Sequence, residues 1–172
     1  MNLLFYLSSL VAVIATVQVI TRTNAVHALL YLIVSLLAVA LIFFALGASF
    51  VAALEVIIYA GAIMVLFIFV IMMLNLGGQA AKQETQLLTP GIWIGPSALI
   101  LVLAAELIYL FAIGQEQLSA GTEVSPKEIG IALFGPYVIG VELASMLLLS
   151  GLVGAYHLGR PHRHGKDKRS DS

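Results

Sequence analysis

Cysteine is absent from all 172 residues. Its absence excludes disulfides, iron–sulfur clusters and thiolate metal sites on this chain, so any electron carrier it works with sits on a partner. Charge is also scarce. Only 10% of residues are charged and the formal net charge is −1, which leaves no basic surface for nucleic acid. What fills the chain instead is apolar: 61% of residues are hydrophobic. A soluble domain of this length has no core large enough to hide that much apolar surface, so the expected solvent is lipid.

A bilayer core requires about 20 apolar residues per helix. Five such runs are expected, at about 2–20, 25–46, 51–76, 92–113 and 136–157. Together they predict an all-α, polytopic membrane protein. The membrane domain would cover 1–158, and a basic, flexible, hydrated tail would occupy 159–172. The first run lacks a basic segment before it and carries Arg22 after it, which reads as a retained helix and not a signal peptide.

Lysine and arginine in the connections set the orientation. The tail holds Arg160, Arg163, Lys166, Lys168 and Arg169, so a cytoplasmic C-terminus with five spans places the N-terminus outside, in the periplasm. Arg22 and Lys82 then fall on the cytoplasmic side as well. The connection from Gly114 to Gly135, with Glu116, Glu123 and Glu128 against Lys127, lies outside.

Two Gly-Pro pairs mark helix ends. Gly135-Pro136 reads as the start of the last span, because proline in the first helical position loses only an amide without an intrahelical partner. Gly95-Pro96, one turn into the fourth span, predicts a mild bend or a late start, with Trp93 as an interface anchor just before it. Small residues such as Gly61 and Ala62, or Gly140, Ala144, Gly151 and Gly154, let helices approach closely in lipid. The chain reads as built to pack against other membrane proteins.

Three carboxylates lie inside the expected spans: Glu55, Glu106 and Glu142. Burying such groups is costly, so each is a functional candidate by default. At about 1.5 Å per helical residue, all three fall in the outer half of the membrane. One reading is a set of proton stations. The other is that each meets interfacial water or a hydrogen bond from a neighbouring chain, which suits Glu106 best because its helix has no other polar feature. No basic residue lies within the spans to pair with them.

In the third span, Glu55, Tyr59 and Ala62 are four and three apart and would share one face of a regular helix. Gly61 lies off that face, ahead of the bulky run Ile63-Met64-Val65-Leu66-Phe67, and permits either a close contact or a π-type rewinding. His27 and His157 fall at cytoplasmic helix ends, where an interfacial role is favoured over haem ligation.

Several stretches carry a family resemblance. Asn24-Ala25-Val26-His27-Ala28-Leu29-Leu30-Tyr31-Leu32 is one, and Leu54-Glu55-Val56-Ile57-Ile58-Tyr59-Ala60-Gly61-Ala62-Ile63-Met64-Val65-Leu66-Phe67 is the most specific. With Phe134-Gly135-Pro136-Tyr137 and Val141-Glu142-Leu143-Ala144-Ser145-Met146-Leu147-Leu148, they resemble the J subunits of bacterial NADH–quinone oxidoreductase, counterparts of mitochondrial chain six of respiratory complex I. The likeness runs from about residue 5 to residue 158.

The resemblance implies a place in the bacterial inner membrane beside the A and K subunits of that complex and near its quinone-binding H subunit, surrounded by lipid. NADH, FMN, iron–sulfur clusters and quinone would all be held by partners and no cofactor by this chain. It also implies a π-bulge at Tyr59-Ala60-Gly61 linked to a water path. Glu55, Tyr59, Gly61, Val65, Phe67 and Glu142 are then the coupling candidates, with no catalytic or metal site on this chain. A purely structural scaffold, in that complex or in a related antiporter or hydrogenase assembly, is the competing function.

Overall fold

A computed structural model describes residues 2–74, 93–113 and 124–159, and every element among them is helical. The order is α1 (Asn2–Thr21), α2 (Ala25–Ala45), α3 (Ser49–Leu54), a π-helix π1 (Glu55–Ile63), α4 (Met64–Leu74), α5 (Ile94–Ile113), α6 (Pro126–Phe134) and α7 (Val138–Gly159). Segments α3, π1 and α4 run on without a break as one rod. Five helices are long and apolar enough to cross a membrane: Leu3–Thr21, Ala25–Ala45, Ser49–Ile71, Ile94–Ala112 and Val138–Gly159. The polar stretch with Lys82, Glu84 and Pro90, the loop with Glu116 and Glu123, and the basic tail beyond Gly159 lie outside the described residues.

The chain forms two compact units, one ending at Ser125 and one beginning at Pro126. In the first, α1 and α2 make a tight hairpin. Asn24 ends the intervening turn as the N-cap of α2. Its side-chain oxygen accepts from the Val26 and His27 amides at 3.0 and 3.3 Å, satisfying two donors that a helix start leaves open. At the other end of α2 the Ala48 amide donates to the Phe43 carbonyl and the Gly47 amide to the Phe44 carbonyl. This is a Schellman closure, and it places Gly47 at φ +82°, where a side chain would be strained. The third span therefore starts at Ser49, two residues earlier than its hydropathy suggests.

The core of this unit is small and close-packed. Val11 and Ala15 of α1 meet Val34 and Ala38 of α2 and Leu103 of α5. Alanine at these contacts brings the backbones together, which matters in lipid because apolar bulk alone gives no preference for protein over acyl chains. Helix α5 begins at Ile94, so Pro96 sits in the first turn, where its missing amide has no intrahelical partner. The Ser97 amide donates to the Trp93 carbonyl at 2.9 Å and makes the first full turn. The pair Gly95-Pro96 thus gives a late start.

The second unit corrects the expected last span. A separate helix, α6, occupies residues assigned to an extramembrane connection, and α7 begins at Val138 instead of Pro136. Between them the Tyr137 amide donates to the Ala132 carbonyl at 3.1 Å and the Val138 amide to the Gly135 carbonyl at 3.2 Å. Gly135-Pro136 therefore closes one helix and does not open the next. No described residue of α6 or α7 is buried.

Candidate functional site

The sequence candidates concentrate on π1. Along its nine residues the amide-to-carbonyl register widens, and at its end the Met64 amide reaches the Tyr59 carbonyl, five residues back, as well as the Gly61 carbonyl. Gly61 lies within this register. A Cβ built there would stand 3.2 Å from the Val56 carbonyl oxygen, again five residues back, so the glycine lets that carbonyl lie close to the chain. Because the winding is π and not α, the four-and-three spacing of Glu55, Tyr59 and Ala62 no longer defines a shared face.

No residue of π1 is buried within this chain. Glu55 is half-buried and Tyr59 is 49% exposed, and neither side chain makes a hydrogen bond among the described residues. Val65 and Phe67 follow in α4, also exposed, while Met64 just before them is only 1% exposed and anchors the rod at the junction. On its other side the start of the rod borders an apolar cleft of about 550 Å³, lined among others by Leu41, Phe44, Ala52, Val56, Ala104 and Leu107. The site therefore combines an irregular backbone, a carboxylate without a side-chain partner among the described residues, and an apolar cleft bordered by the neighbouring Val56.

Glu106 behaves differently from its expected reading. Its own chain supplies one donor to the carboxylate. The Ser8 hydroxyl donates to Glu106 Oε2 at 2.6 Å across the α1–α5 contact, and both side chains are buried. Oε1 of the same carboxylate has no partner among the described residues. Ser8 is not among the residues that sequence reasoning singles out. The available signal is its place on the buried row Leu4, Ser8, Val11, Ala15, but the partner 98 residues away is not legible from spacing. A second polar contact joins α1 to α2, where the Thr16 and Ser35 hydroxyls lie 2.9 Å apart.

At the start of α2, His27 is buried within the chain and its Nε2 has no partner among the described residues. Arg22 lies over the Tyr31 ring, 5.4 Å from its centroid, and the Tyr31 hydroxyl abuts Gly95. His157 is exposed and belongs to the second unit, as does Glu142, which is exposed in the second turn of α7. Among the described residues no group of three or more potential metal ligands occurs. Nothing in the geometry of those residues assembles a nucleophile, base or cofactor cradle. What it offers is a change of helical winding beside a carboxylate.

The profile of the NADH-ubiquinone/plastoquinone oxidoreductase chain 6 family matches residues 15–158. The chain is 55% identical over 175 aligned residues to NADH-quinone oxidoreductase subunit J of Escherichia coli K12, covering all of this chain and 95% of that one. To the subunit J of Pseudomonas aeruginosa it is 60% identical over 161 residues, covering 93% and 97%. The subunit J of Buchnera aphidicola from Baizongia pistaciae is 39% identical over 164 residues, with 95% of this chain and all of that one covered.

Proposed function

The chain belongs to the NADH-ubiquinone/plastoquinone oxidoreductase chain 6 family, and on that premise we propose that its third span is a conformational element coupling quinone reduction to proton translocation. The protein is a multi-pass membrane subunit of the respiratory NADH–quinone oxidoreductase complex, and its partners are other subunits of that complex. In our reading it lies in the bacterial inner membrane with its N-terminus outside and its C-terminus in the cytoplasm. The A, K and H subunits are its neighbours. NADH, FMN, the iron–sulfur clusters and quinone are bound by other chains.

The observation that carries this reading is π1 itself, nine residues of wide register with Gly61 seated against the Val56 carbonyl. A π segment and an α segment use the same amides and carbonyls in different pairs, so little hydrogen bonding is lost in passing between them. Returning the segment to α register turns everything beyond it by a fraction of a turn. Rewinding π1 would therefore swing Val65 and Phe67 around the rod while Glu55 stays with α3. Polar Tyr59 and bulky Val65 and Phe67 would exchange places before a partner's surface, opening or closing a hydrated path. Glu55, at the edge of the moving segment, assists proton passage along it, and Glu142 contributes from the last span.

Gly61→Val tests the idea. Its Cβ meets the Val56 carbonyl at 3.2 Å and its branched methyls crowd further, so the variant favours ordinary α winding. Glycine itself disfavours α-helix by about 0.5–1 kcal/mol relative to alanine, which adds to the same bias. The expected result is a proton-to-electron ratio lowered several-fold in a complex that still assembles and oxidises NADH. A wild-type ratio with normal activity in that variant would sink the proposal.

A further inference from the structure

Helix α6, Pro126–Phe134, has no part in the coupling reading. Nine residues at about 1.5 Å each reach about 14 Å, less than half of a hydrocarbon core of about 30 Å, so it cannot span the membrane. Its chemistry changes along its length. Pro126, Lys127 and Glu128 open it, and Ile129, Ile131, Ala132, Leu133 and Phe134 close it. Ile129, Gly130 and Ala132 are half-buried within the unit. The exposed row is Lys127, Ile131 and Phe134, four and three residues apart, with Ile131 63% and Phe134 77% exposed. Exposed Tyr137 follows in the turn, and Val138 then opens α7, a helix long enough to cross the bilayer.

We propose that α6 is a lipid-interface anchor. Lys127 lies in the phosphate layer, and Ile131, Phe134 and Tyr137 lie in the outermost acyl region of the leaflet that α7 enters. The inference rests on α7 crossing the membrane. A helix that is charged at one end, with Lys127 and Glu128 both exposed, and apolar at the end next to a span follows the layering of a bilayer surface, where a lysine stem can lie along apolar chains while its ammonium stays with the headgroups. A helix seated in a partner's groove would instead carry apolar anchors along its whole length. Here the anchors occupy only the half beside α7. The anchor fixes the depth at which the last span enters, and with it the depth of Glu142.

Accessibility measurements on the assembled complex test this. A spin label is attached to a genetically encoded azide residue at position 127, 131 or 134, in complex reconstituted into nanodiscs of phosphatidylethanolamine and phosphatidylglycerol. Assembly is checked by comigration with the NADH-oxidising band on a native gel. Labels at 131 and 134 are expected to collide more with lipid-soluble oxygen than with an aqueous nickel chelate, and the label at 127 to show the reverse. Shielding from both at 131 and 134 would overturn the anchor in favour of a partner protein. Nickel-dominated collisions at all three would overturn it in favour of a water-exposed helix. A fourth label at Leu148, midway along α7, separates the two levels. Nickel access there would refute the span itself, whereas its exclusion there together with water at 131 and 134 would refute the anchor alone.

Discussion

Glu106 and Glu55 are the same residue type inside expected membrane spans, yet their surroundings are opposite. Glu106 is 7% exposed on α5 and takes the Ser8 hydroxyl of α1 at 2.6 Å. Glu55 opens π1, half-buried, its side chain without a hydrogen bond among the described residues. A polar group away from water needs a partner, and the source of that partner separates the two roles. Where the chain supplies it, the carboxylate joins helices of its own bundle. Where no described residue supplies it, beside an irregular backbone, the carboxylate fits the proposed role toward partner chains and protons. An intramembrane glutamate is thus a functional candidate only after its own chain has been searched for a donor.

The strongest way to break this comparison is Glu106→Ala. Removing the carboxylate strands the buried Ser8 hydroxyl and leaves a gap between α1 and α5, a loss of about 2–4 kcal/mol by analogy with other buried truncations. The amount of assembled complex on native gels should fall accordingly. Glu106→Gln keeps an acceptor for Ser8 and should lose much less. Normal assembly of the alanine variant combined with lost pumping would place Glu106 with Glu55 and erase the distinction.

A smaller effect is expected from Ala104→Phe, which fills part of the apolar cleft of about 550 Å³ beside the start of the rod. On the proposed rewinding of π1, Val56 and its neighbours would need room, which the cleft beside Val56 would supply. Occupying that space by about 1.4 kcal/mol of bias would shift the balance of windings roughly tenfold. Proton-to-electron ratios should drop while assembly and NADH oxidation hold. An unchanged ratio would show that the rod moves without using the cleft, or does not move.

How far the sequence carries can be judged from particular residues. The five apolar runs, the Asn24 break and the late start at Gly95-Pro96 follow from hydropathy and backbone chemistry, and the first, second and fourth long helices stand close to where those cues put them. The early start at Ser49 has no side-chain cap at Ala48 to announce it. Helix α6 does carry a local signal. Ser125 and Glu128 stand in the spacing of a capping box, with Pro126 at the first helical position. Gly135-Pro136 suits the close of that helix as well as the opening of the next, and only the Tyr137 and Val138 amide contacts decide between them. For the candidate site, Gly61 and its bulky followers suggest rewinding, but not a wide register as long as Glu55–Ile63, because that length depends on how the whole rod is held. The Ser8–Glu106 pair is beyond reach, since two residues 98 apart meet only through tertiary packing.

The smallest effect should come from Glu55→Gln. The amide keeps the size and one acceptor of the carboxyl and removes its ability to carry a charge or a proton. Within this chain nothing described is bonded to Glu55, so no internal contact is lost and assembly should match wild type. If Glu55 assists a path whose main carboxylates belong to neighbouring chains, turnover and pumping should fall modestly and together, by less than in Gly61→Val. Measured in the same membranes, the two variants order the causes. A complete loss of turnover in an intact complex with glutamine at 55 would mean that the carboxylate governs the path and the winding of π1 serves it. A modest loss, beside a large one at Gly61, would mean that the backbone is the moving part and the free carboxylate one of several groups it exposes.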